Sequence, residues 1–62
     1  MTEFTIYTAH ATKEEMWWIV RVDGVGVTQA KNLDEAHFMA KDLIEAMTGN
    51  SSSHFDVVVR AQ

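Results

Sequence analysis

Four carboxylates of one helix and the three histidines are the first candidates for acid–base or metal chemistry. Asp34, Glu35, Asp42 and Glu45 are carboxylates that a two-metal nuclease would use to clamp a phosphate, and His10, His37 and His54 are possible ligands or proton carriers. Spacing argues against both uses. No histidine has a partner at a ligand interval, so a metal site could arise only through tertiary coincidence. The carboxylates fall on the solvent side of a helix, where acidic residues ordinarily serve solubility. His37 and Lys41, one turn apart, form a surface pair. Gly24-Val25-Gly26 is too short for a dinucleotide fingerprint and opens a strand rather than a helix. No serine or threonine has a base and an orienting group in reach. The expectation is a non-enzyme without cofactor or metal.

The elements that carry these residues centre on one junction. Asp23-Gly24-Val25-Gly26-Val27-Thr28-Gln29-Ala30 reads as a turn and a strand, and Asn32-Leu33-Asp34-Glu35-Ala36 as a capped helix start. Asn32 can accept from the free amides of the first turn, and Glu35 can return to the Asn32 amide as a capping box. Asp34 and Glu35 also place negative charge at the positive end of the helix dipole.

Alternation from Glu3 to Ala9 predicts a first strand, with Phe4 and Ile6 on one side and Thr5 and Tyr7 on the other. His10 to Glu15 reads as a polar hairpin loop. Met16 to Val22 is a second strand, with Met16, Trp18, Val20 and Val22 on one face and Trp17, Ile19 and Arg21 on the other. Asp23-Gly24 is a tight turn, and Val25 to Ala30 returns as the third strand. Leu33 to Met47 is the only helix. Leu33, Ala36, Ala40, Leu43, Ile44 and Met47 fall on one stripe at about 100° per residue, with Met39 at its edge. Gly49 is the natural left-handed stop, Ser51 to Ser53 is a short connector, and Phe55 to Arg60 is a last strand. The connection from strand three through the helix to strand four is long enough for a crossover, which would set strand four parallel to a neighbour. The result is a single domain over 1–62, a two-layer α+β fold in the order β-β-β-α-β, with one helix on one face of a small sheet.

Size and charge bound the function further. A chain of 62 residues buries only about 60% of its unfolded surface. With no cysteine it has no disulfide to reinforce it, so a homo-oligomer, in the simplest case a dimer, or a tight protein partner is expected. The formal net charge of -4 and the scattered positions of Lys13, Arg21, Lys31, Lys41 and Arg60 disfavour nucleic acid and favour a basic protein partner. No apolar run reaches the roughly 18 residues that span a bilayer, and the N-terminus does not read as a signal peptide; a cytoplasmic protein without membrane contact is expected.

One helix cannot cover both sides of strand two. Either the Trp17/Ile19 side or the Met16/Trp18/Val20 side must meet the open sheet face, joined there by Tyr7 and Val58. Such residues are either scattered surface hydrophobes or a partner surface anchored by tryptophan. Phe38 projects from the acidic side of the helix, near Asp34, Asp42 and Glu45. Either it folds back over the helix end or under a loop, or it is an aromatic anchor ringed by carboxylates. Val57-Val58-Val59 could form an unprotected sheet edge.

Trp17-Trp18-Ile19-Val20-Arg21-Val22, Gly24-Val25-Gly26-Val27-Thr28-Gln29-Ala30 and Leu33-Asp34-Glu35-Ala36 together resemble the HicB-type antitoxin family, over roughly residues 4 to 60. The resemblance implies a partial ribonuclease-H-like fold without nuclease activity, oligomerisation, and neutralisation of a small basic ribonuclease toxin of the HicA type by direct binding. Two features depart from the family. Asp23-Gly24 stands where a proline is usual, and the chain stops at Gln62 without the C-terminal DNA-binding segment, so autorepression is not expected. The alternative is an orphan HicB-like domain, bacterial or phage, that homodimerises or binds an unrelated host protein.

Overall fold

The computed structural model describes residues 4–62. The first strand, β1, runs over Thr5–Glu14 and β2 over Trp17–Val22, followed by β3 over Gly26–Ala30, α1 over Leu33–Thr48, a single 3-10 turn over Ser52–His54, and β4 over Phe55–Ala61. The four strands form one mixed sheet in the order β3-β2-β1-β4. β1 pairs antiparallel with β2 and parallel with β4, and β2 pairs antiparallel with β3. The crossover through α1 therefore returns the chain parallel to β1, as its length allows. Among the described residues no helix is long and apolar enough to cross a membrane.

Local chemistry accounts for the ends of α1. The Glu35 amide donates to Asn32 Oδ1 at 2.7 Å, satisfying one of the amides that a helix start leaves free. The Glu35 carboxylate does not return to the Asn32 amide. It accepts instead from the Lys31 amide at 3.3 Å, so the box closes one residue earlier than predicted. Gly49 ends the helix at φ 76°, and its amide donates to the Glu45 carbonyl at 2.9 Å. Without a Cβ, glycine adopts this left-handed backbone at little cost.

The first hairpin corrects the predicted loop. His10 to Glu14 continues β1 instead of leaving the sheet, and only Glu15 and Met16 make the turn. Glu15 sits at φ 49°, a left-handed position that a residue with a Cβ takes at some cost. The ladder to β2 wins because Ala11 lies opposite Val20 and is fully buried. The predicted start at Glu3 lies outside the described residues.

The core consists largely of small side chains. Ala9 and Ala11 from β1, Ala30 from β3, and Ala36 and Ala40 from α1 are all inaccessible to solvent, together with Val20, Val22, Ile44, Phe55 and Val57. Alanines contribute to this seam from both layers, and the larger Val, Ile and Phe side chains fill the rest of it. Leu43 and Met39 pack against its edge, whereas Leu33 and Met47, the ends of the predicted apolar stripe, remain exposed. No side-chain polar atom is buried without a partner among the described residues.

Such a seam has no room for larger groups. Ala40→Leu is expected to cost about 1–3 kcal/mol by overpacking, while Ala46→Leu, at an exposed helix position, stays within about 0.5 kcal/mol of the parent. Urea denaturation of the two variants checks the difference.

Candidate interaction surfaces

Strand register decides which side chains meet solvent. Trp18, Val20 and Val22 face the helix, because they stand opposite Lys13, Ala11 and Ala9. The Lys13 ammonium lies 5.9 Å from the Trp18 ring centroid and covers what the helix does not reach. Trp17 and Ile19 therefore belong to the open face, with Trp17 44% exposed and Ile19 half-buried. Met16 does not share the Trp18 face: it sits in the hairpin turn, 81% exposed.

Val58 lies on the open face as expected, opposite Thr8 and 50% exposed. Tyr7 does not join it. It stands in register with Val57, on the side that carries Ala9 and Ala11, and its ring meets Phe55 edge-on at 5.8 Å. Alternation along β1 forces this correction: a strand that buries Ala9 and Ala11 must also turn Tyr7 toward the helix.

The open face holds two apolar patches rather than one. Trp17 and Ile19 form the first, near the β1–β2 hairpin; Val58 and Ile6 form the second, toward the other end of β1. Between them runs a transverse row in which His10 stands opposite Arg21 on β2 and opposite Arg60 on β4, with Val27 beyond Arg21 on β3. Both arginines of the chain lie in this row, and neither forms an ion pair among the described residues. The Gln62 side-chain amide donates to His10 Nδ1 at 3.1 Å, so Nε2 carries the hydrogen given to Asp23 Oδ2, also at 3.1 Å. Sequence distance hides this row: residues far apart along the chain become neighbours only once the register is set.

The acidic surface is on the opposite side of the molecule, on the outer flank of α1. Phe38 does not fold back; it is 70% exposed and borders an open groove of about 250 Å³ lined by Lys41, Asp42, Glu45 and Ser52. Lys41 turns its ammonium toward the Phe55 ring, 5.9 Å from the centroid, leaving the two carboxylates as the outward charge beside Phe38. His37 does not pair with Lys41. Its Nε2 lies 3.6 Å from Asp56 Oδ1 on β4. The Val57 amide, donating to Asp56 Oδ1 at 2.8 Å, is the main cause holding the Asp56 carboxyl below its ordinary value, opposed by desolvation and aided by Lys41 and His37.

No group of three or more His, Cys, Asp or Glu converges on a possible metal position among the described residues. The Ser51 and Ser53 hydroxyls are 2.8 Å from each other, with no basic side chain bonded to either. The arrangement places an apolar, mixed-charge sheet face on one side and Phe38 with Lys41, Asp42 and Glu45 on the other. Compared with family models, with curated proteins and with solved structures, the chain matches none of them.

The two adjacent tryptophans provide a direct check of this placement. Trp17→Ser is expected to change stability by no more than about 0.5 kcal/mol, and Trp18→Ser to cost more than about 2 kcal/mol. Acrylamide should quench the single indole left in Trp18→Ser faster than the one left in Trp17→Ser. Thermal unfolding and fluorescence quenching of the two variants measure both effects.

Proposed function

We propose that this chain is a non-catalytic protein-binding module that captures a small basic protein, in the manner of a HicB-type antitoxin neutralising a HicA-like ribonuclease toxin. The observation that carries the reading is Phe38: a large aromatic side chain held 70% in solvent on a helix flank whose outward charges are Asp42 and Glu45. An exposed aromatic with carboxylates beside it suits a partner with an apolar socket and surrounding Lys or Arg. The motif residues from Trp17 to Ala36 support the family part of the proposal, and the β-β-β-α-β order is compatible with it.

In this reading Phe38 is the anchor, Asp42 and Glu45 steer and orient, and the open-face residues Trp17, Ile19 and Val58 provide a second contact surface. Tyr7, turned under the helix layer, supports Phe55 instead of touching the partner. The row Arg21–His10–Arg60 favours a second reading of that sheet face, as the site of an acidic or self-complementary contact. An orphan domain that homodimerises, without toxin, would use it in that way.

Co-expression with a small basic HicA-type ribonuclease tests the proposal. The parent chain is expected to restore growth and to co-purify with the toxin. Phe38→Asp should weaken binding at least about tenfold, and Asp42→Lys with Glu45→Lys should slow association and reduce its salt dependence. Growth arrest undiminished by the parent chain, with no complex isolated, would contradict it.

A further inference from the structure

The two edges of the sheet differ in the charge pattern they present. β3 is short and carries only Val27 and Gln29 on the open face. β4 is longer, Phe55–Ala61, contains no proline, and among the described residues has no neighbour beyond it in the strand order. Strand alternation sets Asp56, Val58 and Arg60 on the side away from the helix, reading negative, apolar, positive, although the Asp56 carboxylate curls around the edge to the Val57 amide and lies 3.6 Å from His37 of α1.

The direction of the β4 backbone groups follows from its neighbours. The Gln62 amide donates to the Ala11 carbonyl at 2.8 Å, continuing the ladder to β1. Groups two residues apart point the same way along a strand, so the amides of Asp56, Val58 and Arg60 face β1. Those of Val57 and Val59 face the empty side. The Val57 amide confirms this assignment, because it is taken by the Asp56 carboxylate at 2.8 Å rather than by another strand. Asp56 and Arg60 cannot satisfy each other within one chain; four residues of strand separate them by about 13 Å.

We propose that β4 pairs antiparallel with β4 of a second copy of this chain, with Val58 on the two-fold axis, making one continuous eight-stranded sheet. In this register Asp56 stands opposite Arg60 of the second copy, and the reverse contact repeats it. Val57 stands opposite Val59 of the second copy, so the outward amides and carbonyls of both meet in ladder hydrogen bonds. The Asp56 carboxylate exchanges its own Val57 amide and His37 for the facing guanidinium, freeing that amide for the ladder.

Charge selects this register from its neighbours. Centring the pair on Asp56 sets two carboxylates face to face, and centring it on Arg60 sets two guanidiniums face to face. Centring on Val57 or Val59 leaves both charges without opposite partners. Parallel pairing in register would stack like charges. A two-fold interface must be complementary to itself, and the antisymmetric order Asp56-Val58-Arg60 meets that condition at one position only. The Asp56 carboxylate on Val57 also protects the edge of a lone chain, a common device for avoiding indiscriminate pairing. The assembly uses the strand edge and does not itself engage Phe38, which stays exposed on the helix flank.

Charge reversal on the full chain tests the proposal by sedimentation equilibrium. The parent is expected at twice the single-chain mass of 7.0 kDa. Asp56→Arg alone and Arg60→Asp alone, each placing like charges opposite one another, should each weaken association at least about tenfold. Mixing the two variants should restore it, since a mixed pair has opposite charges at both contacts, and the double reversal in one chain should restore it as well. Circular dichroism of each variant confirms that it is folded. A parent chain that remains at single-chain mass up to millimolar concentration overturns the proposal. So does a dimer that tolerates both single reversals, or one that is lost on Ile19→Asp but not on reversal at β4, which would place the contact on the open face.

Discussion

The structure depends on the packing of α1 against one face of the sheet, through a buried cluster rich in alanine. Ala36 and Ala40 on the helix and Ala9, Ala11 and Ala30 on the strands share a fully buried cluster. Native packing density holds the helix against that face and tolerates neither large voids nor large additions. The same contact determines what stays outside. A helix spent on this face leaves the other without a layer, and the strand alternation that buries Ala9 and Ala11 sends Ile6, His10 and Thr12 to the other side.

The charge distribution follows from the same arrangement. Acidic residues tolerated on the outer flank of α1 become a carboxylate surface around Phe38, while the strands gather Arg21, His10 and Arg60 in one row on the back of the sheet. The back of the sheet mixes charges, because Glu14, Asp23 and Asp56 accompany Arg21 and Arg60. The front suits a basic partner, and the back, with the β4 edge, can be complemented by carboxylates, including those of its own kind.

Much of the architecture could be read from residue type alone. Asn32, Glu35 and Gly49 marked both ends of the helix, Asp23-Gly24 marked the second hairpin, and the long crossover implied a strand parallel to its neighbour. The first hairpin could not be read this way. His10, Thr12 and Glu14 are polar because they face solvent from a strand, and their polarity imitates a loop; the turn itself, at Glu15, carries no glycine or asparagine to announce it. Tyr7 was misplaced because alternation shows which residues share a face but not which face the helix will take. The Arg21–His10–Arg60 row was hidden for a related reason, since it exists only through strand register. Phe38, in contrast, stood out in sequence as an aromatic on an acidic flank, and it is exposed in the structure.

The account rests on a sheet shielded on one side only. Methyl NMR with a soluble paramagnetic gadolinium chelate measures this residue by residue. Broadening of the Ile6, Ile19, Val27 and Val58 methyls is expected, with those of Val20, Val22, Ile44 and Val57 left sharp. Equal protection of both sets, or broadening of Ile44 and Val20 at the same chelate concentration as Ile6, would contradict it.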